Sequence, residues 1–307
     1  MGLGGLGRVN ARAAWAGSAL AFVAALGLAA RAARGEDEAS APSPEEEPPS
    51  DTDVAPLPSA TEAPSPPAPS EPMMRVPGGT FRMGSVAPRA QPNESPLHLV
   101  KIAPFWIDTT EVSVGAYRNC VARGACSPPT PSSSTCTYAR GDPELAMSCV
   151  TFAMAERFCL AGGKRLPTEA EWELTARGSG TERAYPWGDD APTCERAIAM
   201  RGEKTAEGCS ADGPARVDPR RGRSPYGVAD LAGNVEEWVS DYYDDRYPAE
   251  TPGAVVDPRG PRVGTAHVLR GGAWTSPRSG IRTTARSWAS AIEQGPTVGF
   301  RCAKGEP

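Results

Sequence analysis

The chain has 307 residues, 39% of them hydrophobic and 22% charged, with a formal net charge of −5 and a pI near 5.3. That length suits one large domain or two small ones. The acidic balance, without clustered Lys and Arg to replace phosphate counterions, excludes a nucleic-acid surface of the usual kind.

Residues 1–34 read as a secretory signal. Arg8 and Arg12 give a positive start, Ala13 to Ala30 is a nearly uninterrupted apolar run, and Ala30-Arg31-Ala32 is an A-x-A-like cleavage site. An uncleaved N-terminal anchor is the alternative, because the run approaches spanning length. Either reading places the rest outside the cytoplasm, periplasmic or secreted, and after cleavage no membrane span is expected. Residues 35–72 are a Pro-, Ser- and Glu-rich linker without aromatics. Such a segment buries too little apolar surface to offset the entropy of ordering, and its prolines and carboxylates favour an extended spacer.

The composition changes at Met73, where a domain over 73–307 begins. Met74 to Gly84 predicts two short strands about a Pro-Gly-Gly turn, and Leu97 to Ile107 alternates well enough for another. Ser113 caps a helix over Val114 to Arg123, stopped by Gly124. Cys126 to Met147 is a long loop. Thr151 opens a second helix, Phe152 to Ala161. Thr168-Glu169-Ala170-Glu171 is a capping box for a third, ending at Arg177, with Trp172 facing the core. Beyond Gly178 come tight turns and short strands around Asn234 to Trp238 and His267 to Trp274. The expected class is α+β with little regular secondary structure.

Eight cysteines, all between Cys120 and Cys302, suggest four disulfides in an exported chain. Zinc is disfavoured, because no C-x-x-C occurs and only His98 and His267 could complete a site. Those two histidines read as structural. No G-x-S-x-G elbow supports a serine nucleophile. Asp241, Asp244 and Asp245, beside Tyr242, Tyr243 and Tyr247, read as a solvated loop rather than a glycan-cleaving carboxylate pair.

Gly163 to Gly178, GKRLPTEAEWELTARG, resembles the signature of the formylglycine-generating, or sulfatase-modifying-factor, domain. VPGGTFRMGS, FWIDTTEVSVGAYR, YPWGD, SPYGVADLAGNVEEWVSDYY, LRGGAW and GFRCA follow the family pattern in order, from about Met74 to Ala303. The resemblance implies an irregular fold related to C-type lectin-like domains. The enzymes of that family bind copper(I) through two cysteines placed after an RGGS-type motif, and soft thiolates suit that ion. In this chain, by register, Ser276 and Ile281 stand near those positions in a shortened segment. Copper and its oxidation of a substrate cysteine are therefore not expected.

The resemblance also implies a structural calcium site, with side-chain oxygens from Asp230 and Glu237 and backbone carbonyls from Gly233 and Val235. A second family ion site loses its asparagine position to Ala197. The family pairing transfers to Cys159 and Cys302, closing a long loop worth about 4 kcal/mol. Cys194 and Cys209 read as a loop staple, and Cys126–Cys136 with Cys120–Cys149 is the expectation for the rest. The reading is an exported, non-catalytic module that binds a protein, peptide or glycan. The alternative is a formylglycine-generating oxidoreductase with a non-standard site. Arg278, Arg282, Arg286 and Trp288 line either an anionic or aromatic site, or ordinary surface.

Overall fold

The computed structural model describes residues 72–131, 133–180, 182–200, 208–210, 212–247 and 254–306. The signal and linker expectations lie outside the described residues. Short strands form three small sheets. β1 (Met73–Val76) and β10 (Ala303–Gly305) flank β4 (Phe105–Asp108), both antiparallel to it. β2 (Gly79–Met83) pairs antiparallel with β3 (His98–Ile102), which takes β6 (Val255–Val256) in parallel. The largest sheet runs β8 (Arg286–Ser290), β7 (Ala266–Arg270), β5 (Glu236–Tyr242), β9 (Val298–Phe300). The strand expected over Leu97 to Ile107 is therefore two strands in two sheets, divided at Ala103-Pro104. Pro104 has no N–H to give a ladder.

Three helices fall where their caps predict. α1 (Val114–Ala122) is capped by the Ser113 side chain, which accepts from the Ala116 N–H. α2 (Phe152–Ala161) is capped by Thr151. α3 (Glu169–Arg177) has the full Thr168/Glu171 capping box. Every residue of α3 is buried, its charged side chains included, so it runs through the core rather than along the surface. One core cluster packs Trp172 and Leu174 of α3 against Phe81, Ile102, Phe105 and Val268. A second packs Tyr117 of α1 and Cys159 of α2 around Trp238 and Phe300.

All eight cysteines are paired. Cys159–Cys302 and Cys194–Cys209 are bonded as the sequence reading has them. The other four are not: the bonds are Cys120–Cys126 and Cys136–Cys149. Gly124, at φ +70°, reverses the chain after α1, and the Ala125 N–H donates to the Cys120 carbonyl at 3.1 Å. Cys126 thus returns to the helix it has just left. Thr137 and Ser148 exchange hydrogen bonds, the Ser148 N–H donating to Thr137 Oγ1 at 2.9 Å, and this sets Cys136 beside Cys149. Spacing along the chain carries none of this information.

The Asp241 expectation also needs correction. Asp241 is 3% exposed and accepts from the Glu169 N–H at 2.9 Å, at the start of α3. Burial, reinforced by the Glu169 charge, raises its carboxyl to about 7, with the backbone hydrogen bond only partly offsetting this. A folded-state pKa above the unfolded value means stability is fully present near pH 4 and is lost as pH rises towards 7. Asp241→Asn keeps a carbonyl acceptor for the Glu169 N–H and removes the ionisation. The variant's unfolding free energy should vary less between pH 4 and pH 8, the wild type losing up to about 4 kcal/mol more over that range in denaturant titrations. Parallel pH profiles of the two proteins would contradict the assignment.

Candidate functional site

The segment after β7 is held in place by glycines and by its neighbours. Gly272 sits at φ +67°, and a Cβ there would come within 2.6 Å of the Gly280 carbonyl oxygen. Only glycine lets the two arms of this loop approach so closely. The Gly233 N–H donates to the Gly271 carbonyl and the Trp274 N–H to the Asn234 carbonyl, both at 2.9 Å. The loop is thereby stitched to the turn before β5. Within it, Ser276 Oγ accepts from the Ala273 N–H at 2.9 Å. A single 3-10 turn, Arg278–Ile281, then drives Ile281 fully into the interior.

Ser276, Ser279, Gly280, Arg282, Glu236 and Ser287 line part of a cavity of about 300 Å³. Its two arginines are committed to carboxylates. Arg282 forms a two-pronged pair with Glu94, and Thr284 Oγ1 donates to the same carboxylate at 2.6 Å. Burial pushes the Glu94 carboxyl up, but the hydrogen bonds from Arg282, Thr284 and the Gln91 N–H outweigh it and hold it below its ordinary value. Arg286 pairs in the same way with Glu169, at 2.6 and 2.9 Å. Glu236 has no such partner among the described residues. Burial raises its carboxyl, with a hydrogen bond from Ser287 partly opposing. Trp288 is 56% exposed and stacks on Tyr243.

Behind the cavity lies a buried ionic network. Arg270 donates to Glu173 at 2.6 Å and to the carbonyls of Thr283, Thr284 and Ala285, with its guanidinium 5.1 Å from the Trp172 ring centre. Glu173 also accepts from Arg177 at 2.7 Å and from the Gly84 N–H at 2.8 Å.

The four residues expected to hold calcium lie on and just after the turn before β5, but both carboxylates are given to arginines. Asp230 accepts from Arg221 at 3.0 Å and from the Asp218 N–H at 2.8 Å. Glu237 accepts from Arg301 at 2.6 and 2.7 Å and from Trp172 Nε1 at 2.9 Å. Gly233 and Val235 are the positions expected to offer backbone carbonyl oxygens. Calcium takes carboxylate and backbone-carbonyl oxygens alike, so an ion here would have to compete with Arg221 and Arg301 for the two carboxylates. Among the described residues, no group of three or more His, Cys, Asp or Glu is arranged to hold a metal ion. One buried acid here escaped the sequence reading. Glu111 is fully buried, with neither side-chain oxygen hydrogen-bonded. Burial and the Asp230 charge push its carboxyl well above the usual range, against a smaller opposing pull from Arg301.

The histidines are both structural in setting. His267 is sandwiched between Phe152 and Tyr242, and burial lowers its pKa. His98 Nδ1 lies 3.0 Å from the Pro96 carbonyl oxygen.

A fold of short sheets around a buried capped helix, with a glycine-pinned loop at its cavity, defines the class. Residues 59–306 match the family model "Sulfatase-modifying factor enzyme 1-like domain". The chain belongs to that family. It is 32% identical to the formylglycine-generating enzyme of Streptomyces coelicolor (strain ATCC BAA-471 / A3(2) / M145), over 81% of this chain and 95% of that one. It is also 27% identical to the protein named inactive C-alpha-formylglycine-generating enzyme 2 of Bos taurus, over 76% and 88%. Among solved structures, PvdO from Pseudomonas aeruginosa superposes with a TM-score of 0.63 at 25% identity, over 76% of this chain and 94% of that one. Treponema denticola variable protein 1, at TM-score 0.57 and 19% identity over 76% and 95%, shares the fold. The family thus includes members named as enzymes and members named as inactive, on an α+β scaffold of the C-type lectin-like kind.

Proposed function

We propose that this chain is an exported, non-catalytic member of the family that uses the cavity beside Ser276 to bind a protein, peptide or glycan. One observation carries the reading. By register, Ser276 and Ile281 take the places of the two copper-binding cysteines, Ile281 is buried in the core, and all eight cysteines are in disulfides. No thiolate is therefore available at this loop to take up a soft ion. The four disulfides suit an oxidising compartment, and among the described residues no helix is long and apolar enough to cross a membrane. The residues that remain at the cavity, Ser276, Ser279, Ser287 and Glu236, are hydrogen-bonding groups. They can orient a ligand by hydrogen bonding.

The test is incubation of the purified protein with copper(I), oxygen and a CxPxR peptide. The expected result is an unchanged substrate thiol by mass spectrometry. Appearance of the aldehyde product would establish the oxidoreductase reading instead.

A further inference from the structure

A second cavity, of about 510 Å³, adjoins the first and shares Arg282 with it. Five arginines line it: Arg89, Arg177, Arg183, Arg278 and Arg282. Its walls come from the loop after β2, the loop after α3 and the 3-10 turn at Arg278, none of them a strand. Thr283, beside the lining residue Thr284, ties two of these segments together, its N–H donating to the Ala184 carbonyl and its Oγ1 to the Arg183 carbonyl. Its volume lies in the range of small-molecule sites.

Charge decides what such a cavity takes. Glu94 neutralises Arg282, and Glu173 neutralises Arg177. Arg183 is engaged within the protein as well, which leaves Arg89 and Arg278, beside Glu182 and Asp189, both of which are exposed. Asp189 is already used by the Ala184 N–H at 2.9 Å. Arg278 has no carboxylate partner among the described residues, and its Nε is buried without a hydrogen bond. A desolvated donor left unsatisfied is costly unless an acceptor arrives. The planar guanidinium fork matches a carboxylate or sulfate in shape and charge. Tyr185, whose ring stacks on Trp187 at 5.2 Å, adds an aromatic face to the same wall.

We propose that this cavity is a binding site for a small ligand bearing one carboxylate or sulfate group, with Arg278 as its principal anchor and Arg89 as a second cation. The absence of a strand in the walls argues against an extended peptide, which would need backbone partners. The site does not depend on whether the first cavity binds or catalyses, so the two proposals fail separately.

The experiment is calorimetric titration of the full chain with glucuronate, galactose 6-sulfate, acetate and, as the neutral control, galactose. Glucuronate or galactose 6-sulfate should bind, weakening as salt is raised, and galactose should not. A preference between the two anionic sugars identifies the source of the oxyanion. Arg278→Gln should reduce affinity about tenfold or more, and Arg89→Gln by less. Both sit outside the buried network, and melting curves check that each folds. Failure of both anionic sugars to bind at millimolar concentration would overturn the site. So would binding that Arg278→Gln and Arg89→Gln leave unchanged, or galactose binding as well as the anionic sugars. A tight response to an acidic peptide but to no sugar would replace the proposal with a peptide site.

Discussion

Replacing Glu173 by alanine is expected to destabilise the domain by about 3–5 kcal/mol, the range seen when one partner of a buried ion pair is removed. Glu173 holds Arg270 and Arg177 and receives the Gly84 N–H, and all of these charged groups are almost fully buried. Its loss takes from both guanidiniums the carboxylate they share in a low-dielectric interior, and leaves Arg270 the longer pair with Glu169 at 3.6 Å. The effect should reach the cavity, because Arg270 carries the carbonyls of Thr283 to Ala285, which support Arg282. Urea unfolding should therefore show a large fall in midpoint, accompanied by hydrogen-exchange deprotection of residues 283–285. Asp142→Ala, which breaks the exposed pair with Arg216, should cost at most about 1 kcal/mol. Equal costs for the two variants would refute the ranking.

Removing the Cys159–Cys302 bond should cost about 5 kcal/mol on the loop-entropy model, because it closes a separation of 143 residues. It joins α2 to the chain between β9 and β10, two elements packed in one core cluster. The Cys120–Cys126 bond closes only six residues, for which the same model gives about 2 kcal/mol. Denaturant titrations of Cys159→Ser/Cys302→Ser and Cys120→Ser/Cys126→Ser under non-reducing conditions compare them. A larger loss from the short loop would show that native-state packing, not chain entropy, sets the order.

The anion site and the pH response of Asp241 belong to a different level of organisation. Both bring together residues far apart in sequence. Arg282 and Glu94 are 188 positions apart, Arg286 and Glu169 117, and Arg270 and Glu173 97. Within single segments the sequence reads well. Ser113, Thr151 and Thr168 announce their helices because a cap bonds to an N–H only two or three residues on. The third helix ends at Arg177 as its glycine stop implies.

Local spacing misled in three places. Leu97 to Ile107 alternates like one strand, yet Pro104 breaks it in two. The charges around Asp241 look like a solvated loop, yet Asp241 points inward to meet the start of α3. Four cysteines admit several pairings by spacing, and left-handed turns at Gly124 and Cys149 choose one.

From the amino-acid sequence alone come the family, the α+β class, the three helices with their caps and the absence of a cysteine pair in the segment after Gly272, which holds no cysteine until Cys302. Each of these rests on contacts within a few residues or on the identity of single side chains. Which arginines are neutralised was decided only in the folded molecule, because that depends on carboxylates brought in from distant segments. Glu94 takes Arg282, Glu169 takes Arg286, and Arg221 and Arg301 occupy the acids expected to hold calcium. Arg278 is left facing a cavity without a carboxylate partner among the described residues, and it is this remainder that gives the site its charge.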